Sequence, residues 1–195
     1  MNAARTYTMG ARAKSAEETR RRIRAAAVLQ LKERLRSDIR LDDIAAQAGV
    51  TVQTVLRIHG SKAELFRLAF GDVIEEMKDA FGQVSPGDIG AGVRASFDHY
   101  EEYGGVVIDS LADEHEPDVA PIVAVGRERH RDWVETVFAP QLAGVRTPDR
   151  TRLIDALVCA TDVYTWKLLR RDMARPRDVA EATMRRLVEA LLGED

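Results

Sequence analysis

The stretch from Leu41 to Lys62, LDDIAAQAGVTVQTVLRIHGSK, constrains the fold more than any other part of this chain. Leu41, Ile44, Ala45 and Ala48 recur at helical spacing, and Gly49 follows where a chain leaving a helix often turns left-handed. Thr51 then stands where a hydroxyl caps the free amides of a new first turn, with Val52, Val55, Leu56 and Ile58 as its apolar positions. Two short helices joined by a Gly-centred turn, with a third about to start, form the layout of a DNA-binding helix-turn-helix. Gln53, Thr54 and Arg57 remain as outward polar groups.

The charge distribution agrees with that reading. The 195 residues carry a formal net charge of −3, which hides a strong asymmetry. Up to Lys62 there are 13 Lys or Arg against 6 Asp or Glu, and beyond it 16 against 26. Phosphate neutralisation dominates nucleic-acid affinity, so the basic part is the one expected to meet DNA. The acidic remainder argues against a second polyanion-binding or membrane surface.

Every strong periodicity along the chain is helical, which predicts an all-α fold of about nine helices. Residues 1–14 read as a flexible basic arm, 15–62 as the helix-turn-helix domain and 63–195 as a second helical domain. The first helix is expected over Glu17–Arg36, with Ser15 and Glu18 as a capping box and Ile23, Ala26, Ala27 and Leu31 on its buried face. Ser61 caps a helix from Lys62 to about Phe81, and a loop of Gly, Ser and Pro follows to Gly92. Further helices are expected up to about Tyr103, after Gly104-Gly105, from Pro117 to Phe138, over Asp149–Arg171 and over Arg177–Leu192.

The stretch from Arg20 to Phe70 resembles, without a gap, the DNA-binding domain of TetR-type transcriptional regulators. The matching residues are Ile23, Ala26 and Ala27; Ile44 and Ala45; Ala48-Gly49-Val50; Thr51 and Thr54; and Gly60-Ser61-Lys62 with Leu65. The pattern covers about a quarter of the chain. Four positions depart from it. Leu56 and His59 stand where the family usually has a phosphate-contacting Tyr and a packing Phe. Arg40 replaces the usual Thr cap of the second helix, at a cost of roughly 1 kcal/mol. Leu35 stands where a Gly often ends the first helix, leaving Ser37-Asp38 to turn the chain.

A helix in the major groove shows its first residues to base edges, here Thr51, Val52 and Gln53. Gln53 suits a bidentate pair with adenine N6 and N7, and the Val52 methyls suit a thymine methyl. Thr54, Arg57, Ser61 and Lys62 are placed for phosphate, as is Arg40. His59 has two readings, a packed ring bonded to backbone or a DNA contact. Arg5, Arg12 and Lys14 either enter a neighbouring minor groove or stay solvated, and the Arg20-Arg21-Arg22-Ile23-Arg24 cluster is split in the same way.

The resemblance implies a homodimeric repressor on a palindromic double-stranded DNA operator, released by a small-molecule effector. It puts the dimer surface on the last two helices, where Leu153, Leu157, Ala160, Tyr164, Val179, Leu187 and Leu191 supply apolar stripes. The same stripes would equally close the monomer's own core. It also implies an effector pocket in the second domain, for which Met77, Phe81, Arg94, Phe97, Tyr100, Tyr103, Trp133, Phe138, Tyr164 and Trp166 are candidates, with His99 as a further polar handle.

Other classes fare worse. Asp113-Glu114-His115-Glu116 with Glu128 and His130 has poor metal-ligand spacing, so no metal and no cofactor is expected. An enzyme would need a nucleophile–base pair, and none of His59, His99, His115 and His130 has such a partner in sequence. The alternative reading is an all-helical interaction module with weakened DNA binding, suggested by Leu56 and His59. The single Cys159, in an apolar run, is expected to be buried and inert. No run approaches the roughly 20 apolar residues of a membrane span, and the first residues lack a signal peptide's apolar segment, so a cytoplasmic protein is expected.

Overall fold

A computed structural model describes residues 3–77, 84–117 and 119–193, with side chains from Lys14 onward. Among the described residues there is no strand, and the all-α expectation holds. The chain divides into two compact units, Met1–Lys78 and Asp79–Asp195.

In the first unit, α1 (Ala3–Glu33) is followed by a 3-10 turn (Arg36–Asp38), α2 (Leu41–Ala48), α3 (Val52–His59) and α4 (Lys62–Met77). Ile23, Ala27, Ile44, Val55, Leu65, Ala69 and Val73 are buried at the helix crossings, joined by Ile39 from the connection. Enclosing one such branched side chain stabilises by roughly 1.5–3 kcal/mol, so these positions hold the short α2 and α3, which have too few residues to persist alone. Leu35, in extended conformation, leads into the 3-10 turn, and Ser37 and Asp38 redirect the chain as expected. Gly49 takes φ +66°, and its amide bonds back to the Ala45 and Ala46 carbonyls, closing α2 in the left-handed conformation that glycine adopts at least cost. Arg40 makes no side-chain cap bond to α2.

Two expectations for this unit are corrected. Ser15 does not cap α1, because the helix runs unbroken through it from Ala3, and Ser15 serves as a backbone acceptor for the Thr19 hydroxyl at 2.8 Å. Glu18 pairs with Arg21 instead of closing a capping box. A Ser-x-x-Glu pattern on an exposed helix face carries the same residues as a true start, and helical formers on both sides let the helix continue. The segment read as an arm is thus helical over 3–14. The unit also ends after α4 and not before it, since Leu65, Phe66, Ala69 and Val73 of α4 belong to its core.

The second unit comprises α5 (Ile89–Ala112), α6 (Ala120–Val137), a short α7 (Ala139–Leu142), α8 (Asp149–Ala160), α9 (Val163–Lys167) with a π-helical turn (Leu168–Asp172), and α10 (Arg177–Leu192). Its core gathers Val93, Phe97, Tyr100, Val134, Phe138, Ile154, Leu157, Trp166, Met184 and Val188. Gly104-Gly105 does not break the chain. Both glycines lie inside α5, and a Cβ on Gly104 would stand 2.5 Å from Cζ3 of Trp166, so the missing side chain lets the indole pack against the helix backbone. The helix expected over Asp149–Arg171 is in turn interrupted. Thr161 and Asp162 end α8 and start α9, with the Asp162 carboxylate accepting from the Tyr164 amide at 2.8 Å.

Cys159 is exposed rather than buried. Arg152, Asp155 and Cys159 share the solvent face of α8, and Ile154, Leu157 and Ala160 fill its core face.

Candidate nucleic-acid interface

The first turn of α3 is built as its sequence dictates. Thr51 is extended, and its Oγ1 accepts from the Thr54 amide at 3.2 Å and lies 3.0 Å from the Thr54 hydroxyl. Val55 and His59, four residues apart, face inward. That rotation turns Gln53, Leu56 and Arg57 outward on one stripe, with Val52 and Thr54 half-buried at its edges. Ser61 caps α4, its Oγ accepting from the Glu64 amide at 3.1 Å. Lys62 follows, half-buried, with its Nζ 5.2 Å from the centre of the Phe66 ring. Arg40, at the start of α2, is exposed.

His59 is only 6% exposed, which withdraws it from the DNA-facing set and favours the packing reading. Burial lowers its affinity for a proton, and the neighbouring Arg20 and Arg24 cations add to that effect against a hydrogen bond with the Arg20 backbone. A neutral ring is the form this site favours. Leu56 remains outward at 38% exposure.

Ion pairing sorts the basic residues of this unit. Arg20 is bound to Glu17 at 2.8 Å and Arg21 to Glu18 at 2.6 Å. Arg24 grips Asp72 with two donors, Lys32 holds Glu76 at 2.5 Å, Arg34 holds Asp43 at 3.2 Å and Arg67 holds Glu64 at 2.7 Å. Among the described side chains of this unit, Lys14, Arg22, Arg40, Arg57 and Lys62 carry no ion pair. Arg40, Arg57 and Lys62 are the cations that the sequence sets against phosphate; Lys14 and Arg22 are the two that it leaves between DNA and solvent.

In the second unit, the pocket candidates separate. Phe97 and Phe138 are fully enclosed, Tyr100, Tyr103 and Trp166 are buried, and Trp133 is partly buried. Arg94 and Tyr164 are exposed, so neither lines an interior; both sit on the solvent faces of their helices. Met77 ends α4 in the other unit, and Phe81 lies outside the described residues. The buried aromatics meet a polar group that the sequence reading did not assemble. The His99 ring lies 5.2 Å from Tyr100 and 5.3 Å from Tyr103, and His130 stacks 6.1 Å from Trp133. The Thr161 hydroxyl donates to the Leu157 carbonyl at 2.8 Å, so it accepts from His130 Nε2 at 3.0 Å, which assigns the proton of that ring. Ser96 donates to the Thr161 carbonyl at 3.0 Å.

Burial pushes the His99 imidazole down to about 4, with nearby His130 adding to the effect. It also lowers His130, against the pull of Asp162, and raises the Tyr100 hydroxyl well above its ordinary range. Outside this group, Glu101 accepts from Arg170 Nε at 2.7 Å and from Trp166 Nε1 at 2.7 Å, and the Arg170 guanidinium foremost holds its carboxyl below the usual range.

The interface candidates also separate. Leu157 and Ala160 are enclosed in the unit's own core, which removes them from any outer surface. Leu153 is partly buried against the same core. Tyr164, Val179, Leu187 and Leu191 are exposed, and Leu168 and Met173 join them. The period-four spacing of Val179, Leu187 and Leu191 on α10 made its outer stripe legible. Leu168 opens the π-helical turn and Met173 follows it, a register that no α-helical period anticipates.

Among the described residues, no group of three or more His, Cys, Asp or Glu is arranged to hold a metal ion. Glu114 is paired with Arg127 at 2.5 Å and His130 with Thr161. No described helix is long and apolar enough to cross a membrane.

Scans of protein-family models and of curated proteins return no match. Among solved structures, the chain is similar to the crystal structure of a TetR-family transcriptional regulator from Streptomyces coelicolor, with a TM-score of 0.63 and 20% sequence identity. The match covers 90% of this chain and 80% of that one. The chain therefore has the fold of a TetR-family transcriptional regulator.

Proposed function

We propose that this protein is a sequence-specific, DNA-binding transcriptional regulator that acts as a homodimeric repressor and leaves its operator when a small molecule binds. The observation that carries the reading is the outward stripe of α3, where Gln53 and Arg57 stand free of the core behind a Thr51 cap. Gln53 reads a base edge from the major groove, while Arg40, Thr54, Arg57, Ser61 and Lys62 fix the register on phosphates. A single such helix reads few base pairs, so two copies on a palindrome are required. The exposed Tyr164, Leu168, Val179, Leu187 and Leu191 support an apolar surface for the second copy. The buried group of Tyr100, Tyr103, Trp133 and Trp166 with His99 and His130 supports an effector with an apolar body and a few polar atoms. Such a ligand lowers DNA affinity only as far as it prefers the state with displaced recognition helices.

The test of base reading is Gln53→Ala, measured by fluorescence anisotropy on a palindrome from the neighbouring promoter region and on a scrambled duplex. Discrimination between the two duplexes is expected to fall by about 1–3 kcal/mol with scrambled-duplex affinity unchanged. An equal loss on both duplexes would assign Gln53 to phosphate and not to bases.

A further inference from the structure

One side chain in the arginine cluster of α1 stands apart from its neighbours. Arg20, Arg21 and Arg24 each have their guanidinium engaged by a carboxylate. Arg22, in the middle of the same cluster, is exposed and carries no ion pair among the described residues. Two residues along a helix is a rotation of about 200°, so Arg22 projects away from the side on which Arg24 meets Asp72 of α4. It projects instead toward α2. Its Nη1 lies 3.8 Å from where a Cβ on Gly49 would stand, which seats the guanidinium over the turn that joins α2 to α3. Gly49 itself is two residues ahead of Thr51, the cap of the outward-facing helix.

We infer that Arg22 is a DNA-positioning residue, a cation that α1 delivers over the helix-turn-helix turn to a backbone phosphate beside the groove that α3 enters. The inference rests on the DNA-binding reading above and adds to it a contact from a helix outside the motif. An ion-paired arginine must give up its carboxylate before it can bind phosphate, whereas Arg22 has no such competitor. Its long stem reaches to the Gly49 turn, where its Nη1 comes within van der Waals distance of the Cβ position. Placement at the end of α2 also suits a purely structural role, because a cation there meets the negative end of the helix dipole. The two roles differ in their response to salt. A phosphate contact releases condensed counterions, and each one lost reduces the slope of log affinity against log salt by about 0.9. A dipole contact within the protein leaves that slope alone.

The experiment uses the full chain, a labelled mixed-sequence duplex and anisotropy at roughly 50–200 mM salt, the range over which phosphate contacts dominate. Arg22→Ala is expected to lower the slope by about one and the affinity at 0.1 M salt roughly five- to tenfold. Arg22→Lys is expected to restore most of the slope, and Arg21→Ala, which removes a carboxylate-paired neighbour, to leave it unchanged. Arg57→Ala serves as the reference for a phosphate contact within the motif. An unchanged slope for Arg22→Ala beside a reduced slope for Arg57→Ala, with helicity retained in both, would overturn the inference and leave Arg22 as a cap of α2. Absence of any duplex binding by the wild-type chain at the lowest salt would remove the DNA-binding reading itself, and the role of Arg22 with it.

Discussion

Gly104→Val is expected to destabilise the second unit by about 3 kcal/mol, at the upper end of what overpacking a core ordinarily costs. A Cβ at this position already lies 2.5 Å from Cζ3 and 2.7 Å from Cη2 of Trp166, well inside contact distance, and the branched methyls add to the overlap. The indole has little freedom to yield. Its Nε1 is bound to Glu101 at 2.7 Å, Arg171 lies 5.0 Å from its ring centre and Tyr100 packs 6.3 Å away. Relief must come from moving α5 away from α9, which exposes core on both. Gly104→Ala removes less, because alanine's helix propensity returns about 1 kcal/mol. Both tryptophans, Trp133 and Trp166, lie in this unit, so urea unfolding followed by Trp fluorescence reports on it directly. A Gly104→Val protein with wild-type stability and an unshifted emission maximum would show that the helices are not locked by this contact.

The second large effect is on acid stability. His99 is buried among Tyr100 and Tyr103 of its own helix and His130 of α6, with Glu102 as the acid that acts on it and Asp162 beyond, next to His130. Its folded value near 4 lies below the ordinary 6.5, so the unfolded chain takes up a proton first as pH falls. The stability contributed by the neutral ring is fully present above pH 6.5. It is lost progressively between about 6.5 and 4, and amounts to roughly 3 kcal/mol. Glu101 adds a carboxylate effect of the same direction, present above the ordinary Glu range and lost as pH falls through its lowered value, so total stability is not specific to His99. The difference between wild type and His99→Gln isolates it. Urea midpoints at pH 7.5 and 4.5 are expected to diverge strongly for wild type and much less for the variant; parallel profiles would show that the ring is solvated in the folded state.

The parts of this fold that rest on near neighbours were legible in the sequence. Gly49 donates its amide to carbonyls three and four residues back, Thr51 and Ser61 each accept from an amide three residues on, and all three roles are local in sequence. The buried faces of α1 and α2 follow from spacing alone, as Ile23, Ala26, Ala27, Ile44 and Ala45 show. What distance in sequence conceals was misread. Gly104 resembles a breaker until Trp166, far along the chain, is seen to need its missing side chain. Ser15 and Glu18 resemble a helix start because a cap and an exposed helical position accept the same residues. Thr161 and Asp162 carried a usable sign, since an Asp that begins a run of Val, Tyr and Thr suits a fresh cap; the apolar periodicity on either side obscured it.

The candidate site followed the same division. The outward stripe of Gln53 and Arg57 was fixed by the inward pair Val55 and His59, and only the enclosure of His59 settled which side it joined. Sequence could count the cations around the motif but not pair them, because the partner of Arg24 is Asp72, far along the chain on α4. The exposed Cys159 shows the converse, an apolar neighbourhood in sequence with a polar one in space: Arg152 and Asp155 precede it on the same face.

The proposed function puts the α2–α3 motif of a symmetric pair on double-stranded DNA. Hydroxyl-radical footprinting of the 195-residue chain on its neighbouring promoter region tests that most directly. Two protected half-sites related by a dyad are predicted, with centres about 34–36 Å apart or a multiple of that spacing, and protection that disappears as salt is raised. A folded, wild-type protein that protects no site at low salt, or protects one unpaired site as a monomer, would contradict it.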